Sequence, residues 1–304
     1  MKCSFISYTI VLFLVALLCS VYGYGQKRSI QTNTIPLKEL LHKQKKKTNL
    51  LKYLTATKWN ELFPNRNGAN TRNKANNHLD FYSFTSFVAA ANLFPDFLGE
   101  GTDSVKRREL AAFLANIAQE TSGGWDDAPG GYFKWGLYFI DEHQEGSIKN
   151  YADTTKKNYM PIAGKAYFGR GPKQLSWNYN YGQFSEAWYG NKDSLLQQPE
   201  LLSQNPVLSF ASAIWFWMKM QKPKPSCHDI MVGRWQPSDA DSIGNRLPGF
   251  GATVNVINGG VECGKGKDLQ KTAYRYQYYV YFCKYLHVSP GNNITCTEQK
   301  PFGT

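Results

Sequence analysis

"AAFLANIAQETSGGWDDAPGG" (Ala111–Gly131) begins as a buried helix and stops on a carboxylic acid. Leu110, Phe113, Leu114, Ile117 and Ala118 recur at three- and four-residue steps, which predicts a helix with one apolar face. The next position on that stripe is Glu120, followed closely by Gly123 and Gly124. A helix C-terminus disfavours a carboxylate, because the negative end of the macrodipole lies there. Apolar neighbours disfavour the charge again by desolvation. Both effects raise the expected pKa of Glu120 and suit it to general-acid work. The paired glycines are expected to turn the chain sharply and let it approach a ligand. The plainer reading is a helix-terminal Glu held by an Arg in the core.

A second group of acids follows in "KWGLYFIDEHQEG" (134–146), which offers Asp141, Glu142 and Glu145. Two carboxylates in unlike surroundings are what glycoside hydrolysis needs: one protonates the leaving oxygen, the other activates water. Downstream, "GPKQLSWNYNYG" (171–182) gathers Gln174, Ser176, Asn178, Tyr179, Asn180 and Tyr181. Amides, hydroxyls and aromatic faces together suit a sugar. A polar hairpin near the surface is the plainer alternative.

The 304 residues are 42% hydrophobic and 15% aromatic, which excludes a disordered chain and allows one large core. Lys2, the apolar run Ile6–Leu18 and the small residues to Gly23 read as a secretory signal over residues 1–23, with a signal anchor as the alternative. Residues 24–48 read as a basic linker, with a removed propeptide after Lys27-Arg28 or a tether to an acidic surface as alternatives. Residues 49–304 read as one globular domain. The net charge of +12 is concentrated early: nine Lys or Arg against Glu39 lie between Tyr24 and Asn60. Nothing interleaves aromatic with basic residues as a nucleic-acid surface would, and no later stretch suits a membrane span. Four cysteines follow the signal (Cys227, Cys263, Cys283, Cys296) and allow three pairings.

The domain reads as mainly helical. Helices are expected within 79–94, 104–119, 205–221 and 271–288, the third opened by Asn205 as N-cap and Pro206 at the first helical position. Its apolar residues occupy nearly every side, as in a central buried helix. A short hairpin is expected around 166–182, and 121–135 and 244–260 read as long loops. Gly259 to Lys265 is a near-miss for a phosphate loop, because Gly266 stands where Ser or Thr should be. Cys227-His228 lacks a second ligand pair at zinc spacing.

"QETSGGW" (119–125), "WGLYFIDEH" (135–143), "YFGRGPKQLSWNYNYG" (167–182), "KPSCHDIMVGRWQPSDAD" (224–241), "RLPGFGATVNVINGGVECGKG" (246–266) and "VSPGNNITC" (288–296) together resemble the catalytic domain of glycoside hydrolase family 19. The resemblance runs in order from about residue 49 to 304. It implies a mainly α, lysozyme-like, two-lobed helical domain with a long substrate cleft and at most a short β-hairpin. It implies a secreted endochitinase that cleaves β-1,4-linked N-acetylglucosamine with inversion, without metal or other cofactor, acting as a monomer with chitin as its partner. Under this resemblance Glu120 is the general acid, Glu142 the general base and Ser176 the hydroxyl that holds the attacking water. Gln174, Tyr179, Asn180 and Asn258 are cleft residues, Glu262 and Arg275 an ion-pair network around the acid, and Cys263–Cys296 a disulfide. Cys227 and Cys283 either pair or remain thiols. An Arg beside Glu120 opposes the raised pKa argued above.

The departures are specific. Gln119 stands where the family often has His, and the cysteines of two further bridges are absent, with Tyr138, Ala152 and Ile162 at three of their positions. Such departures keep open the reading of a non-catalytic chitin-binding protein, and the lysozyme-like fold that the resemblance implies keeps open a hydrolase of peptidoglycan.

Overall fold

The computed structural model describes residues 48–68, 80–142, 150–265 and 270–303, with side chains from 273 onward in the last segment. The chain divides into two units, Met1–Asn33 and Thr34–Thr304, and every described residue belongs to the second. The signal segment, the linker up to residue 47 and Glu145 lie outside the described residues. Thr48, the last residue assigned to the linker, is buried, and its backbone N–H donates to Asn92 Oδ1 at 3.0 Å.

Among the described residues the secondary structure is helical, with isolated bridges in place of a sheet. The helices are α1 (Leu50–Tyr53), α2 (Ala56–Leu62), α3 (Phe84–Ala91), α4 (Asp103–Glu120), α5 (Asn178–Tyr189), α6 (Asp193–Gln197), α7 (Leu201–Gln204), α8 (Pro206–Met218), α9 (Cys227–Val232), α10 (Asp239–Ile243), α11 (Phe250–Glu262) and α12 (Gln270–Tyr285).

α4 is the axis of the site. The Thr102 hydroxyl caps its start by accepting from Val105 N, and Asp103 sits favourably in the first turn. The expected apolar face is too narrow a description, because every residue from Glu109 to Ala118 is buried. α12 packs along one side of α4, and α9 and α11 also lean on it. The buried Glu109 is held through Oε1, which accepts from Trp217 Nε1 at 3.1 Å and pairs with His228 Nδ1. His228 is therefore a core partner of α4.

α8 forms as its sequence foretells: Asn205 Oδ1 accepts from Leu208 N and Pro206 opens the helix. Its Phe210 joins Trp59, Tyr82 and Phe87 in an aromatic core, while Phe113 of α4 meets Phe87, Phe97 and Trp217.

Two expectations fail. Residues 244–260, read as a loop, contain most of α11 despite Gly251, Asn255, Asn258, Gly259 and Gly260. A Cβ at Gly251 would collide with the backbone carbonyl of Thr295, and one at Gly259 with the Asn255 side chain. Close packing thus selects glycine there and overrides its poor helix propensity. The hairpin is also shorter than expected: it is one Arg170–Leu175 bridge, and residues 178–182 already belong to α5.

Candidate active site

At the C-terminus of α4 the Thr121 hydroxyl donates to Ile117 O at 2.6 Å and accepts from Leu137 N at 2.9 Å. Thr121 O accepts from both Tyr138 N and Phe139 N at 3.0 Å. The segment after the helix is thereby folded back against Glu120. Gly123 and Gly124 serve this closure, not a left-handed turn: neither has a positive φ. A Cβ at Gly123 would enter the Tyr138 ring, and one at Gly124 would stand 2.9 Å from Tyr132 O.

Glu142 lies three residues beyond Phe139, a reach of at most about 10 Å of chain. It is tied to the hairpin, with its N–H donating to Gly169 O at 2.8 Å and its Oε2 accepting from Gly169 N at 3.3 Å. The neighbouring Asp141 bridges to Arg170, and Gly171 N donates to Ile140 O at 2.7 Å. The turn of that hairpin sends Lys173 back to Glu120, with Nζ 3.6 Å from Oε2. A short closed circuit therefore runs from Glu120 through Thr121, Phe139, Glu142, Gly169 and Lys173 to Glu120 again.

The two carboxylates have unlike surroundings. The Glu120 side chain is 14% exposed and its Oε1 accepts from Arg275 Nη2 at 2.7 Å. Arg275 also donates through Nε to Glu262 Oε2 at 2.9 Å and through Nη1 to Asn116 Oδ1 at 3.1 Å. Asn258 Nδ2 donates to Glu262 Oε1 at 2.9 Å, from a kink where its φ and ψ leave the helical region. The acid, Arg275, Glu262 and Asn258 are thus one network. Burial acts to raise the Glu120 pKa, but Lys173 and Arg275 outweigh it and the carboxyl is held below its ordinary value. This corrects the sequence-based expectation of a raised pKa: the apolar stripe ends against two cations.

Among the described residues, Glu142 has one hydroxyl donor, Tyr151, at 2.8 Å from Oε1. Burial and the Glu142 carboxylate push the Tyr151 phenol up to about 12, so it stays protonated and donates.

Gln174, Ser176 and Asn180 cluster at the hairpin exit. Gln174 Nε2 donates to Gly171 O at 2.9 Å, Ser176 Oγ to Gln174 O at 2.9 Å, and Asn180 Nδ2 to Ser176 O at 2.9 Å. The buried Asn180 Oδ1 has no hydrogen-bond partner among the described residues. Gln174 and Trp177 hold positive φ values of 51° and 76°, which turn the chain from hairpin into α5. Tyr179 lines a cavity of about 690 Å³ with Lys156, Tyr159, Gln183, Gln221 and Lys224. Gln119, in the position often held by His, accepts from the Tyr132 hydroxyl at 3.1 Å.

Cys263 and Cys296 form a disulfide. Cys227 and Cys283 are separate buried thiols, pushed up by burial and so kept in the unreactive protonated form. Sequence reasoning missed Lys173, Tyr151 and Asn116. Lys173 lay within a quoted motif, and a lysine in an otherwise uncharged run was the available signal; Tyr151 and Asn116 carried none.

A helical scaffold presenting two differently held acids beside a polar hairpin defines the glycosidase class of site. The family model for glycoside hydrolase family 19, described as "Chitinase class I", matches residues 54–296, and the chain belongs to that family. An endochitinase of Carica papaya is 49% identical over 223 residues, covering 73% of this chain and 89% of that one. A basic 30 kDa endochitinase of Solanum lycopersicum is 46% identical over 245 residues, covering 80% of this chain and 74% of that one. Among solved structures, chitinase C of Streptomyces griseus superposes with a TM-score of 0.62 at 33% identity, covering 80% of this chain and 97% of that one. The helix-dominated, lysozyme-like fold expected from the sequence is the fold of this family.

Proposed function

We propose that the chain is an endochitinase in which Glu120 is the general acid and Glu142 the general base of an inverting hydrolysis. One observation carries this reading: the closed circuit that joins Glu120 to Glu142 through Thr121, Phe139, Gly169 and Lys173. An inverting enzyme needs its carboxyls about 6.5–9.5 Å apart, with room for a water.

The chemistry follows from the surroundings. Glu120 gives its proton to the glycosidic oxygen as the bond to the anomeric carbon breaks. Glu142 takes a proton from the water that attacks the opposite face, and Ser176 helps hold that water. In the free protein the cations favour the ionised Glu120. A bound sugar chain covers its exposed edge and removes water, which favours the protonated form. Glu262 offsets part of the Arg275 charge. Gln174, Asn180 and Asn258 supply hydrogen bonds to the sugar.

Glu120→Gln is expected to abolish cleavage of chitohexaose with an unchanged circular dichroism spectrum, and Glu142→Ala to cost more in kcat than in KM. Proton NMR of the first products is expected to show the α anomer. Full turnover by Glu120→Gln would remove the acid assignment.

We also propose that the chain is exported and acts as a monomer. The amino-terminal Lys2 and Ile6–Leu18 pattern and the Cys263–Cys296 bridge support export. None of the described helices is long and apolar enough to cross a membrane. Mass spectrometry and light scattering of protein recovered from culture medium test both statements.

A further inference from the structure

Lys173 stands in the hairpin turn and is 10% exposed in its side chain. Its Nζ approaches Glu120 Oε2, whereas Arg275 holds Oε1, so the two cations grip opposite oxygens of one carboxylate. The same ammonium lies 4.9 Å from the centroid of the Phe216 ring on α8, a cation–π contact that fixes the lysine from behind.

Among the described residues, the charged groups facing Glu120 are few. Lys173 comes from the hairpin and Arg275 from α12, with Glu262 of α11 beyond Arg275. Asn116 of α4 is a neutral acceptor for Arg275. Lys224 is a more distant cation that senses Lys173. Arg275 divides its donors between Glu120 and Glu262, whereas Lys173 pairs with Glu120. Without the Lys173 charge, the poorly hydrated Glu120 carboxyl loses one of its two cations and favours its proton.

We propose that Lys173 is a positioning residue that governs protonation of Glu120 and thereby sets the upper pH limit of hydrolysis. The proposal rests on the reading of Glu120 as the acid. While Lys173 is charged and in place, the acid form of Glu120 is available chiefly toward low pH, and kcat/KM falls on the alkaline side. Neutralising the lysine widens activity toward higher pH.

The experiment is the pH profile of kcat/KM on chitohexaose for the full chain and for Lys173→Met, Lys173→Arg and Glu120→Gln. Met keeps the aliphatic stem against Phe216 and removes only the charge. The alkaline limb of Lys173→Met is expected to move up by about one to two pH units, and that of Lys173→Arg to stay in place. An unmoved limb in Lys173→Met overturns the role of Lys173, even where Glu120→Gln is inactive. A drop in Tm without a moved limb, the mark of a purely structural lysine, overturns it equally. An active Glu120→Gln instead overturns the acid reading itself. Should Lys173→Met fail to fold, Lys173→Gln makes the same comparison.

Discussion

Arg275 Nη2 donates to Glu120 Oε1 at 2.7 Å across the interface between α12 and α4, the two helices that pack along one another. Because the same guanidinium serves Glu262 and Asn116, it joins three elements at one buried point. Removing it leaves two carboxylates without their shared cation. Arg275→Ala is therefore expected to destabilise the fold by about 3–5 kcal/mol, the usual cost of orphaning a buried charge. The midpoint of urea unfolding at neutral pH reads this directly.

The pH dependence of stability carries a signature of the same pair. The folded-state pKa of Glu120 lies below its ordinary value of 4.5. A depressed carboxyl contributes stability above its unfolded pKa and loses it as pH falls through the folded one. Wild-type stability should thus drop as acid is added from just above pH 4.5 downward. Asp241, held low by Arg246 and Ser238, contributes in the adjoining range. Glu120→Gln should flatten part of the slope and leave the Asp241 part, as read by urea midpoints taken at intervals from pH 6 to pH 3.

The Tyr151 hydroxyl donates to Glu142 Oε1. Hydrogen bonds to charged groups contribute roughly 1.5–3 kcal/mol. Tyr151→Phe is expected to lower kcat by about tenfold or more, with KM nearly unchanged, since the bond orients a base and not the sugar. Tm should hardly move, because Tyr151 is only half-buried.

Gly123 offers a steric test. Its missing Cβ leaves room for the Tyr138 ring. Gly123→Ala should push the 135–139 segment away from Thr121 and cost about 1–3 kcal/mol, as overpacking does. Because Glu142 follows that segment by three residues, kcat should fall along with Tm. A variant with wild-type kcat would show that the closure does not position the base.

Some of this was open to sequence reasoning. α4 and α8 were legible because their apolar spacing and, for α8, the Asn205-Pro206 start are local signals. The two acids were visible as chemistry, Glu120 from its place at the end of a helix and Glu142 from the apolar run before it. α11 was not legible, since Gly251 and Gly259 answer to Thr295 and Asn255, and their poor helix propensity is overridden by packing.

What the sequence determined by itself was the helical class, the family and the two carboxylates proposed for catalysis, because spacing, caps and ordered motifs are properties of neighbouring residues. Only the tertiary structure decided how those carboxylates are held. Lys173 and Arg275 come from a hairpin and a distant helix to meet Glu120. The strength of that meeting depends on distance and on excluded water, and both exist only once the chain has folded.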